Sequence, residues 1–298
     1  MNRRRLLVLA CLASLALTAA ASDDWLAGLE AWKKWRSGRL QQPDGWLTLI
    51  GLSWLHDGDN SVGADPAAAV RLPTGKAPAR LGVVRLAAGQ ASFTVEPGAD
   101  VRHDGAPVAR IDLADDAAKD GPTILEHGTL SFYVINRSGR LGIRVKDREA
   151  EALRNFRGLE YYPADPNWRV AARFETAPPG RKLEVPDSVG GIQAIDQPGW
   201  VIFRLADGEH RLVALDDTGD GRLFLVFGDR TNGRETYGGG RFLYTDPPVA
   251  GRVTIDFNRA YNPPCVFTPW ATCPLPPREN RLPVTVAAGE KKYAGAAH

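Results

Sequence analysis

"LSFYVINRSGRLGIRVKD", residues 130–147, contains two short runs, LSFYVI and LGIRVKD, rich in β-branched and aromatic residues, with turn-forming residues between them. Such residues suit a pleated, half-buried surface and lose rotamer freedom in a helix. The same texture extends outward from Trp46 to Glu160, where RLGVVRLA and ASFTVE are set apart by Gly, Pro and Asp. This spacing predicts a β-sandwich. Further strand candidates follow: GWVIFRLA, EHRLVALDD, RLFLVFGD, GRFLYTD, GRVTIDF and LPVTVAAGE. Between the two groups, residues 149–175 form a connector. Phe156, Leu159, Tyr161, Tyr162 and Trp168 make it adhesive, and Pro163 and Pro166 prevent a long helix.

The chain begins differently. Arg3, Arg4 and Arg5 precede an apolar run from Leu6 to Leu17 and then Thr18-Ala19-Ala20-Ala21. This pattern predicts a signal peptide over residues 1–21, cleaved before Ser22, and hence a periplasmic or secreted protein. The run is too short for a permanent membrane span, so no transmembrane anchor is expected in the mature chain. Cys11 in VLAC fits a lipoprotein signal poorly, because Leu9 is out of pattern and little apolar run would remain. Losing three arginines takes the formal charge from +2 to −1, which leaves no electrostatic footprint for nucleic acid.

Residues 22–40, SDDWLAGLEAWKKWRSGRL, read as an amphipathic helix with early acids and late bases. Trp25, Leu29, Trp32 and Arg36 recur at helical spacing, a stripe expected to dock on the body of the protein. Cys265 and Cys273 are the only cysteines of the mature chain. In an exported protein such a pair predicts a disulfide, stabilising by roughly 2–3 kcal/mol. Cys-x7-Cys is not a usual zinc spacing. No metal and no cofactor are expected.

SVGADPAAAVRLP, GVVRLAAGQASFTVEPGADVRHDGAPV and LEHGTLSFYVINRSGRLGIRVKD together resemble a degenerate forkhead-associated (FHA) domain over residues 52–147. Gly63-Ala64 stands where that family has Gly-Arg, Asp104-Gly105 where it has Asn-Gly, and its Ser-x-x-His is missing. Phosphothreonine recognition needs arginine and hydroxyl donors, so the scaffold is implied and phosphothreonine-peptide binding is not. The boxes YGGGRFL (237–243), DFNRAYNPPC (256–265) and CPLPPRENRL (273–282), with GWLTLIGLSWL near the start, resemble the exported bacterial family called domain of unknown function 1684. That resemblance brings no activity and no catalytic residues with it.

The expected architecture is therefore mostly β. An N-terminal amphipathic helix and entry segment (22–45) precede an FHA-like β-sandwich (46–160). A C-terminal β-domain (161–298) follows, with a disulfide-closed proline-rich loop. Polar residues concentrate in that last part. Two readings of them stand open. In one, Asn and Asp side chains brace irregular backbone. In the other, the loop walls a pocket, with Tyr237, Arg241, Asn258, Tyr261, Asn262 and Trp270 as ligand contacts, for a small molecule or envelope component. A hydrolase would use Asp229, Asp256 or Glu290 as general acid and base. A third possibility is an interaction module using the FHA-like face and the aromatic helix. Histidines 56, 103, 127 and 210 are scattered, there is no G-x-S-x-G elbow, and DDTGDG (216–221) reads as a hairpin turn.

Overall fold

The computed structural model describes residues 23–295; the expected signal peptide (1–21), with Cys11 in it, lies outside the described residues. Helix α1 (23–40) is the first element among the described residues, and a single 3-10 turn at Trp46–Thr48 delivers the chain into the first strand. Gly45 makes that entry possible, since a β-carbon there would lie 2.4 Å from the Leu40 carbonyl oxygen. The stripe behaves as helical spacing requires. Leu29 is buried, the Trp25 indole donates to Asp256 at 2.8 Å, and Trp32 meets Tyr161 edge-on at 6.4 Å.

Eleven strands follow: β1 Leu49–Trp54, β2 Gly58–Gly63, β3 Val70–Arg71, β4 Gly82–Ala87, β5 Gln90–Val95, β6 Arg102–His103, β7 Ala106–Pro107, β8 Arg110–Leu113, β9 Leu125–His127, β10 Leu130–Arg137 and β11 Arg140–Asp147. They form a five-stranded sheet in the order β3-β2-β4-β5-β8 and a six-stranded sheet in the order β1-β11-β10-β9-β6-β7. One core joins the two, including Val84 and Phe93 from the first sheet and Phe132, Val134, Ile143 and Val145 from the second. Phe93 and Phe132 meet edge-on at 5.5 Å.

The β10–β11 hairpin turns through Ser138 and Gly139, with φ of 53° and 86°. Two successive positive φ values match the right-handed twist of the flanking strands. Alternation then decides where each side chain of β11 goes. Leu141, Ile143 and Val145 enter the sandwich core, so Arg144 and Lys146 emerge on the other face. That face is covered as well: Arg144 is only 4% exposed.

The covering comes from the second half. After α2 (Glu151–Arg154) the strands are β12 Arg169–Thr176, β13 Lys182–Pro186, β14 Ile192–Leu205, β15 Gly208–Asp216, β16 Leu223–Phe227, β17 Arg241–Thr245 and β18 Arg252–Asp256. They form one antiparallel sheet, β17-β16-β15-β14-β12-β18, with β13 added to the start of the long β14. β16 is buried along its whole length: Leu225 and Phe227 join one core, Phe224 and Val226 another on the opposite face. A strand buried on both faces reads as a continuous apolar run, as LFLVF does.

The proline-rich segment 263–277 lies across that second face. Thr268 donates to the Leu49 carbonyl at 2.9 Å, Ser188 donates to Ala271 at 2.7 Å, and the amide of Leu275 bonds the Pro186 carbonyl at 2.8 Å. The expected disulfide is absent. Cys265 and Cys273 are free thiols whose sulfurs are 3.4 Å apart, well beyond the bond length of about 2.05 Å. Instead, the Cys265 amide donates to Cys273 Sγ at 3.1 Å. The loop is held by its hydrogen bonds to β1 and to the 186–188 turn, so no cross-link is needed to fix it.

Candidate functional site

The polar residues of the last third divide into three separate groups. Arg241 and Asp229 form an ion pair at 2.7 Å with neither side chain exposed. Arg241 also donates to the carbonyls of Val286, at 2.9 Å, and Ala288, while Asp229 accepts the amides of Thr231 and Val286. Asp256 takes the Trp25 indole and caps the 3-10 turn Phe257–Arg259, accepting from the Asn258 amide at 3.1 Å. Asn258 in turn bonds both backbone groups of Asp165, at 2.9 and 3.0 Å, tying down the connector.

Glu290 is fully buried between Arg36 of α1, at 3.0 Å, and the Asn262 amide, at 2.8 Å. The Tyr161 hydroxyl completes its shell at 3.4 Å, and burial together with that carboxylate holds the phenol protonated far above its usual range. Asn262 donates to the Lys291 carbonyl at 2.8 Å. Tyr237 is half-buried beside the Cys265 thiol, and Trp270 is 40% exposed on the loop. A hydrogen bond from Cys273 holds the Cys265 thiol below its ordinary range, whereas burial pushes Cys273 up.

None of these three carboxylates lines the main cavity, which lies where α1, the β10–β11 hairpin, the β16–β17 face and the proline-rich loop meet. It is a cleft of about 1080 Å³, at the upper end of small-molecule pockets. Its aromatic wall is ordered by stacking. Tyr244 lies flat against Phe224 at 4.8 Å and runs nearly parallel to Tyr261 at 6.5 Å. Arginines cover this stack, Arg222 on Tyr244 at 4.9 Å and Arg36 on Tyr261 at 4.6 Å. Trp46 and the 61% exposed Trp35 complete the apolar lining.

The hairpin and the loop supply one connected part of the polar lining. Arg137 grips Asp116 with both terminal nitrogens, at 3.1 and 2.8 Å, and its Nε donates to Thr272 Oγ1 at 2.9 Å. Arg144 Nη2 donates to the same hydroxyl at 3.1 Å, and its guanidinium lies over Trp46 at 5.1 Å. Of the six expected ligand contacts, Tyr261 alone lines this cleft. Arg144, Arg137 and Thr272 were not foreseen. The one signal for Arg144 was its place on the outward face of LGIRVKD, which by itself reads as solvent-facing.

The family profile described as "Protein of unknown function (DUF1684)" matches residues 154–291. The chain belongs to the DUF1684 family. The match begins at the connector, so GWLTLIGLSWL and the whole β-sandwich lie outside it. An uncharacterized protein from Haloarcula marismortui, whose solution structure is known, is 31% identical, with 46% of this chain and 78% of that one covered and a TM-score of 0.39. An FHA domain from work on phosphothreonine-dependent FHA interactions is 20% identical over 33% of this chain and 96% of its own, with a TM-score of 0.23. The FhaA FHA domain is 19% identical over 31% and 96%, also at a TM-score of 0.23. No functionally curated protein matches. The cleft of this DUF1684 protein thus stands at the junction of the matched segment and the residues before it.

Proposed function

We propose that this protein, once exported, binds a small organic molecule in the cleft between its β-sandwich and its second sheet. The observation that carries this reading is the combination of an open volume of about 1080 Å³ with a stacked aromatic wall capped by arginines. Flat apolar surface supplies affinity and a few directed polar groups supply orientation. Asp229, Asp256 and Glu290 have no place in this reading, because each is already engaged by an arginine, an indole or backbone amides. Among the described residues no helix is long and apolar enough to cross a membrane.

Ala194 is an exposed cleft residue on a strand, and Ala194→Trp would plug the cleft without touching either core. Saturation-transfer NMR against a panel of small aromatic compounds should give hits with the native protein that disappear in the plugged variant. Equal binding to both would remove the cleft from consideration. Export is tested separately by mass spectrometry of the extracytoplasmic fraction. A mature chain starting at Ser22 is expected, and full-length chain retained inside the cell would refute it.

A further inference from the structure

Three arginines are buried among the described residues: Arg36, Arg144 and Arg241. Arg36 has Glu290 and Arg241 has Asp229, but Arg144 forms no ion pair with any described residue. The cleft lining repeats the pattern. Arg36, Arg39, Arg137, Arg222 and Arg259 each lie within 4.0 Å of a carboxylate, and Arg144 alone does not. A guanidinium cannot shed its proton to escape burial, so an unpaired one signals a missing anion.

We propose that Arg144 anchors a carboxylate subsite in this cleft, so that the bound molecule is an organic monoanion with an apolar body. This rests on the cleft being the binding site and specifies the ligand class. Arg144 Nη2 is taken by Thr272, and Nε is sealed off without a partner. Nη1 makes no hydrogen bond to any described residue and is not among the sealed atoms. Thr272 Oγ1 accepts from both Arg137 and Arg144 and has no described acceptor for its own hydrogen. Nη1 and that hydroxyl are two unused donors on one stretch of lining, a fit for the two oxygens of a carboxylate. A single negative charge is enough to balance Arg144. Asp216, Asp217 and Asp246 also line the cleft without an ion-pair partner among the described residues, and they would oppose a second charge.

Phenylacetate, its neutral analogue phenylacetamide, and phenyl phosphate are the probes, followed by calorimetry and thermal shift. Phenylacetate should bind roughly 10- to 100-fold more tightly than the amide, as losing a charge-assisted hydrogen bond implies. It should also outbind the dianionic phenyl phosphate. Arg144→Met should erase the preference for acid over amide. Without ligand this variant should melt at or above the native temperature, because an unpaired buried cation has been replaced by an apolar chain. A purely structural Arg144 would lower it.

If acid and amide bind equally and Ala194→Trp blocks both, the cleft stands and the carboxylate subsite fails. Preferential binding of phenyl phosphate overturns the monoanion assignment. Failure of all three probes to bind overturns the subsite and the cleft reading together.

Discussion

Replacing Arg241 by methionine separates a brace from a binding site within the polar residues of the last third. Its guanidinium lies 2.7 Å from Asp229, with both side chains wholly buried, and also donates to the carbonyls of Val286 and Ala288. Removing one partner of such a pair strands the other charge, which costs about 3–5 kcal/mol. Adding Asp229→Asn to the Arg241→Met variant takes that charge away while keeping acceptors for the Thr231 and Val286 amides. The double variant should therefore lose about 2 kcal/mol less than the sum of the single losses, the coupling expected of side chains in contact. Urea unfolding of the native protein and the three variants measures the cycle. Neither residue lines the cleft, so folded Arg241→Met should bind phenylacetate as the native protein does. Additive losses would refute the coupled pair. Unchanged stability with lost binding would place the site in the polar knot and refute the cleft.

Three further outcomes follow from the packing. Burial alone would raise the Asp147 carboxyl, but Lys76 at 2.6 Å and the Glu149 amide outweigh it and hold it below the usual range. A depressed carboxyl stabilises above its unfolded pKa and loses that contribution as pH falls through the folded value. Lys76→Met should therefore cost about 1–2 kcal/mol at neutral pH and much less in acid, as read by melting temperature against pH. Asn280 is fully buried and bonds the Val213 amide and the Val213 and Val226 carbonyls, bridging β15 and β16 where they share few ladder bonds. Asn280→Leu strands all three groups and should cost at least about 3 kcal/mol in urea unfolding. Cys265 and Cys273, being free thiols, should both react with a maleimide when the protein is unfolded without reductant.

The hairpin at 130–147 was legible because Phe132, Val134, Ile143 and Val145 obey a period of two and Ser138-Gly139 supplies the turn. The stripe on α1 was legible for the matching reason at helical period. What escaped depends on contacts between distant segments. Arg144 sits on a strand face that would be solvated in an isolated sandwich, and it is buried because Thr272, 128 positions later, closes over it. Asp229 and Asp256 each lie five positions from an aromatic of the wall, yet they and Glu290 are all turned toward other partners, which residue type alone does not encode. The cysteine spacing found the right neighbours, since the sulfurs are 3.4 Å apart, but proximity is not a bond.

Diffraction from a crystal soaked with 4-bromophenylacetate decides whether the cleft and Arg144 hold an aromatic acid, because bromine is located by its anomalous scattering. Bromine is expected against the Phe224–Tyr244 wall and the carboxylate on Arg144 and Thr272. A bromine peak outside the cleft, or a carboxylate turned away from Arg144, would contradict this placement.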